Sequence, residues 1–312
     1  MTDLDAERRR ADALAGNVTL DIPADLAAVG ADTGADATGD DATGDDGAAE
    51  AAASGRPRPR RPRRRREWRV GGTSVQHWNW VLVGWGILSL AAGLLVSAAA
   101  GTFIGGVAGR WIGAGAVWLS MLIPVVFAFR ISVPRGLLRF RPVDLLFGLF
   151  LGILLRFVQG GLAEAATGNT TWPSYFSADG SLGSQWMLND LLLPVLVLPV
   201  LEEFFFHGFL LVALFTVFRR LTDSRIVAGF GALLATTGLF VLLHQLTGSL
   251  VPTWDGAVSI ALVALAAGLL VLTTGRLWSA VLLHITFNGT YVLLALVGTV
   301  LGVGADPAST LS

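Results

Sequence analysis

Glu202 and Glu203 stand side by side, with His207 four residues on, inside Leu191–Phe218, one of the most apolar runs of the chain. Two more histidines fall in apolar runs: His244 closes Phe240-Val-Leu-Leu-His244, and His284 opens His284-Ile-Thr-Phe-Asn288. A spacing of four puts Glu203 with His207, and His284 with Asn288, on common helix faces, while Glu202 points about 100° away from Glu203. Ionisable groups at membrane depth are costly and usually face a bundle interior or a wet cavity. Taken singly, a histidine or asparagine there reads as glue between helices. As a set on three helices, they are hidden from lipid most simply by converging on one cavity.

Such a set can activate water. A glutamate in an apolar pocket is a candidate general base. Imidazoles opposite it can hold a divalent metal or donate to a developing oxyanion, and an asparagine amide suits the second task. The sequence has no G-x-S-x-G, kinase, dinucleotide or His-Glu-x-x-His motif. It has no cysteine, which excludes thiolate nucleophiles, disulfides and Cys-ligated metals. All 22 basic residues are arginine, which excludes a lysine nucleophile or Schiff base.

The elements that must position these groups are membrane helices. The chain is 53% hydrophobic and 14% charged, with a mean hydropathy of +0.64, too apolar for an ordinary soluble domain. Twelve of the 22 basic and 14 of the 23 acidic residues precede Val70. Residues 1–70 read as a disordered cytoplasmic tail, first acidic, with the repeat Asp36-Ala-Thr-Gly-Asp40 and Asp41-Ala-Thr-Gly-Asp45, then Arg/Pro-rich from Arg56 to Arg66. The arginine run is read as a positive-inside anchor on the lipid bilayer, with no nucleic acid partner. Residues 78–303 form the transmembrane domain, an all-α polytopic bundle of about seven helices. The spans are expected at Trp80–Ala100, Trp111–Phe129, Val143–Leu162, Met187–Phe218, Ile226–Leu246, Ala257–Thr274 and Leu277–Val303.

Loop charges set the orientation. Arg130, Arg135, Arg139 and Arg141 follow the second span, Arg219, Arg220 and Arg225 the fourth, and Arg276 the sixth; among basic residues the opposite loops hold only Arg110. The expected topology has the N-terminus in the cytoplasm and the C-terminus outside, in a bacterial-type plasma membrane. Pro194 and Pro199 should bend or break the fourth helix before the glutamate pair. Trp78, Trp80 and Trp85 read as an interfacial belt, and Trp172, Tyr175 and Trp186 as packing on the outer rim. Arg156 is expected to snorkel to the outer interface. One tension remains: from the nearest inner arginine, His244 lies ~28 Å up its helix and His284 ~12 Å if both are straight. A shared cavity then needs tilt, an unwound start to the fifth helix, or a re-entrant segment.

Glu-Glu-x-x-x-(Arg), Phe-x-x-x-His and His-x-x-x-Asn on successive late helices resemble the CPBP family of intramembrane proteases, which includes CAAX-processing and Abi-type members. Glu202-Glu203, Phe240–His244 and His284–Asn288 carry the resemblance, and about 187–303 is the expected catalytic region. The resemblance implies an endopeptidase acting on a peptide or protein substrate at the membrane. Glu202 would polarise the attacking water, with Glu203 supporting it. His244 and His284 would position that water, directly or through a metal, and Asn288 would stabilise the oxyanion. Glu203, His244 and His284 would be the ligands of a divalent metal such as zinc, and a metal-free glutamate mechanism stays open beside it. One position departs from the family pattern: His207 stands where it has arginine, while Gly208 is kept. His207 is then an accessory group at the site, or the mark of a site that has lost activity. An ion-coupled transporter and an inactive scaffold or immunity protein are the rival readings.

Overall fold

In the computed structural model the described residues are 68, 75, 77–168, 172–175, 182, 185–248 and 253–301. The expectations for the tail therefore lie outside the described residues, except at Trp68, which is buried edge-on against Phe215. All described residues lie in the unit Arg63–Ser312. Seven helices among them are long and apolar enough to cross a membrane. They are α1 (Trp80–Ile104), α2 (Gly106–Ile131), α3 (Pro142–Thr167), α4 (Met187–Leu221), α5 (Arg225–Leu246), α6 (Trp254–Thr274) and α7 (Trp278–Leu301). The expected spans are thus borne out to within a few residues at each end.

Helix α4 is the axis of the bundle: 61% of its most apolar window is buried, against 17–44% for the other six. Its aromatic run explains this, since Phe205, Phe206 and Phe209 are wholly enclosed. Phe206 packs edge-on to Phe240 of α5, and Phe209 edge-on to Trp78. Trp78 is therefore a core residue, fully buried and stacked on Phe129, and not part of an interfacial belt; Trp80 and Trp85 stay exposed.

The two prolines break α4 in a specific way. Met187–Val197 is π-helical, Leu198–Glu203 is α-helical, Phe204–Leu210 is π-helical again, and Leu211–Leu221 returns to α. At the first junction the Leu198 N–H reaches back to the Leu193 carbonyl. The Pro194 carbonyl would next accept from residue 199, but that residue is proline and has no N–H. The orphaned carbonyl accepts instead from Asn288 Nδ2 of α7, at 2.7 Å. The second π turn begins directly after Glu203 and carries His207, and such turns are frequent at functional sites.

The depth conflict between His244 and His284 is resolved at the α6–α7 joint. Gly275, with φ of 69°, turns the chain, and Leu277 enters the bundle fully buried. Its N–H donates to the Leu137 carbonyl at 2.8 Å, and its side chain lies over Gly208. Helix α7 thus starts at Trp278, about a turn and a half before His284 meets Glu203. The joint is pinned by charge: Arg276 Nη2 and Nε meet Asp144 Oδ1 at 2.7 and 2.8 Å, and Asp144 is fully buried. Asp144 Oδ2 also accepts from the Arg141 N–H at 2.8 Å at the start of α3. Above this, Gly148 and Gly152 of α3 let the α7 backbone approach closely. A Cβ at Gly148 would sit 2.4 Å from Leu282 Cβ, and one at Gly152 would sit 2.7 Å from the Leu283 carbonyl oxygen. This is the small-xxx-small packing of membrane helices, applied to the turn that holds His284.

At the opposite end, Trp172 Nε1 donates to the Leu294 carbonyl at 3.0 Å, and Tyr175 and Trp186 meet edge-on, as expected for rim packing. Arg156 does not snorkel. Its Nε and Nη2 donate to the Phe287 carbonyl at 3.0 and 2.7 Å, it also bonds Gln159, and its guanidinium lies over the Phe287 ring. A cation buried in the bundle finds carbonyl, amide and π partners nearer than water. It thereby fixes the α7 turn that carries Asn288.

Breaking the pin at the α6–α7 joint should be costly, because a partly buried Arg276 would lose its one carboxylate among the described residues. Asp144→Ala is expected to cost about 3–5 kcal/mol, read as a lower unfolding temperature of the detergent-solubilised protein. An unchanged unfolding temperature would mean that the pair does not hold α7 in place.

Candidate active site

The three helices named by the motifs do converge. Glu203 lies at the α-to-π junction of α4, and the wider turn that follows brings His207 beneath it. His207 Nδ1 lies 2.6 Å from Glu203 Oε2, and His284 Nδ1 lies 3.0 Å from Glu203 Oε1. Each oxygen of this fully buried carboxylate therefore accepts one imidazole N–H. His207 Nε2 faces a second acceptor, the Ala264 carbonyl of α6, at 3.1 Å. Both ring nitrogens of His207 are thus engaged, one on Glu203 and one on the α6 backbone, which fixes the ring in place. Its ring is enclosed by Phe240 and by Gly268, where even a Cβ would stand 3.3 Å from the ring.

Glu202 points elsewhere, as the 100° step requires. Its Oε2 stands 3.9 Å from His244 Nε2 and 3.9 Å from His284 Nε2. Both imidazoles use their Nδ1–H on another acceptor, His244 on the Phe240 carbonyl at 2.9 Å and His284 on Glu203. That leaves each Nε2 turned toward Glu202. Phe240 packs against both rings, with centroids 4.5 Å from His244 and 5.9 Å from His284, so the aromatic residue of the second motif spaces the two histidines.

At 3.9 Å the gaps around Glu202 are too long for direct hydrogen bonds, and they lie between the ~3.4 Å of two ligands on a tetrahedral zinc and the ~4.6 Å of two groups bridged by one water. The expected metal set of Glu203, His244 and His284 is not brought together as one. Glu203 spends both oxygens on imidazole N–H groups, and His244 faces Glu202. Among the described residues no group of three His, Asp or Glu side chains has a metal-holding arrangement. No step is assigned to a metal.

Asn288 lies one turn beyond His284 and already donates to Pro194; its amide has a second N–H. Glu202 and His244 open onto a cavity of about 380 Å³ between α1, α2, α4 and α5, lined also by Val117, Trp118, Met121, Leu198 and Arg110. Of the sequence-predicted residues, then, Glu202, Glu203, His207, His244 and His284 form one cluster, with Asn288 bonded to the α4 break beside it. Sequence reasoning missed the Asp144–Arg276 pin and the contribution of α1 and α2 to the cavity. The Gly148-xxx-Gly152 spacing was the available sign that α3 packs closely on the helix of His284.

The fold and site define an all-helical membrane protein with a buried glutamate-histidine centre. Residues 184–290 match the family model described as type II CAAX prenyl endopeptidase Rce1-like, and this stretch contains every motif residue named above. The match bears out the resemblance and supports, at the level of the family, an intramembrane protease of the CAAX type. No curated protein and no solved structure matches the chain.

The enclosure of His207 makes the departure from the family motif testable. An arginine is longer than the imidazole pocket between Glu203, Ala264 and Gly268, and overpacking of this kind costs about 1–3 kcal/mol. His207→Arg should lower both the unfolding temperature and any peptidase activity. A gain in activity would show that the pocket still prefers the family residue.

Proposed function

We propose that the chain is an intramembrane endopeptidase in which a water held by Glu202, His244 and His284 attacks the peptide carbonyl. The observation that carries this reading is the division of labour between the two glutamates. Glu203 is committed to two imidazoles, whereas Glu202 faces the Nε2 atoms of His244 and His284 at 3.9 Å and borders the cavity.

Glu202 takes a proton from the water as its oxygen bonds to the scissile carbonyl carbon. The carbonyl oxygen becomes an oxyanion, for which the second Asn288 N–H is a fixed donor. The C–N bond then breaks, and the proton held by Glu202 passes to the leaving nitrogen. Glu203 and His207 touch no reacting atom; they orient His284, so that its Nε2 meets the water. The arginine-rich end, where Arg220 bonds the Trp78 carbonyl and Arg276 meets Asp144, is read as cytoplasmic from the charge bias of its loops. The substrate is a peptide or protein segment reaching the cavity at the membrane.

Removing the base should remove the reaction while sparing the fold, since Glu202 makes no short hydrogen bond to a neighbour. Glu202→Gln is expected to lower peptide cleavage ~10²–10⁴-fold, with an unfolding temperature close to that of the wild type. Profiling of cleaved membrane peptides reads this directly. Equal products from wild type and variant would mean that the chain is not a Glu202-dependent protease.

A further inference from the structure

The cavity beside Glu202 and His244 lies toward one end of the bundle. Its rim is made by Ser97 in the last turns of α1, Arg110 in the first turns of α2, and Thr247, the residue that caps α5. These helix ends all lie away from the arginine-rich loops: α2 runs on to Arg130, α5 begins at Arg225, and α4 ends beside Arg219 and Arg220. Between the rim and Glu202 the wall is largely apolar, with Val117, Met121 and Leu243. The other direction is closed. On α4 every residue from Phe205 to Leu214 is buried, whereas from Met187 to Leu198 only Val195 is. Phe206 and Phe209 fill the space toward α5 and Trp78, and Leu277 lies over Gly208.

We propose that the site takes its substrate from the extracytoplasmic face, as an apolar stretch of an exported or membrane-anchored chain that enters between the outer ends of α1, α2 and α5. The inference rests on the protease reading above and deepens it by naming the face that serves the site. Eight arginines stand in the loops at the closed end, against Arg110 alone at the rim of the cavity. A bias of this kind puts the closed end in the cytoplasm and the rim outside. The depth of His244 agrees. It lies three residues, ~4.5 Å, from the outer cap of α5, and nineteen residues, ~28 Å, from Arg225 at the other end. His284 stands nearer the closed end, but the start of its helix is sealed by Leu277, which is fully buried. A cytoplasmic segment would have to part the most enclosed stretch of the bundle to reach Glu202, and a close-packed interior resists such opening. A segment arriving from outside meets the rim, then an apolar wall, then the carboxylate and imidazoles, with no packed layer to displace.

The test uses the full chain in intact bacterial cells and reads both the open face and the cut sites. The chain has no cysteine, so a single introduced thiol reports alone. Thr247→Cys, at the rim, should react with a membrane-impermeant maleimide in intact cells. Asp223→Cys, exposed between α4 and α5, should react only after the membrane is permeabilised. Any other labelling pattern overturns the proposal. In the same cells, peptide termini that appear with wild type and not with Glu202→Gln should fall at least tenfold more often in extracytoplasmic segments than in cytoplasmic ones. A ratio near one, or an excess in cytoplasmic segments, overturns the proposal as well. If wild type and Glu202→Gln give the same termini, the protease reading itself fails and the assignment of a substrate face falls with it. The labelling, which needs no cleavage, tells that failure apart from a site that opens on the wrong side.

Discussion

The site depends on Glu203, a fully buried carboxylate whose two oxygens each accept an imidazole N–H. An isolated charge at this depth would be prohibitive, and the structure answers it with an imidazole on each oxygen, His207 on one and His284 on the other. The arrangement also fixes chemistry one residue away. Because His284 turns its Nδ1 to Glu203, its Nε2 is left to face Glu202. One glutamate thus orients an imidazole whose far nitrogen faces its neighbour.

Bringing His284 to that position takes most of the remaining architecture. The last helix has to start inside the bundle, and it does so because Leu277 is buried over Gly208 while the joint beside it is held by Asp144 and Arg276. Two glycines of α3 then allow the closest approach of a neighbouring backbone at the turn before and after His284. Arg156 and Asn288 tie the next turn of α7 to α3 and to the broken stretch of α4. Each of these features looks costly by itself. Together they satisfy one another's polar groups, as is required where water is scarce.

Much of this was legible in the sequence. The seven spans followed from apolar length, the convergence of three helices from the expense of their polar residues, and the family from three short motifs in order. The bend in α4 was legible from Pro194 and Pro199, but its form was not. That an orphaned Pro194 carbonyl would take Asn288 depends on a hydrogen-bond register that two prolines only permit. Trp78 was misread because a tryptophan beside a span start is equally at home in an interface or under a neighbouring helix. Arg156 was misread because snorkelling assumes that the side chain has no nearer acceptor, and the Phe287 carbonyl is one. His207 read only as an accessory group or a mark of lost activity, because its second partner, the Ala264 carbonyl of α6, lies 57 residues away in the chain.

The central proposal is that the Glu202 cluster holds the attacking water directly and not through a metal. Elemental analysis of the purified, catalytically active protein, before and after exhaustive chelation, tests it most directly. The account predicts less than stoichiometric zinc or other divalent metal per chain, with peptide cleavage undiminished by chelation. One equivalent of metal per chain, with activity lost on its removal and restored by zinc, would contradict it.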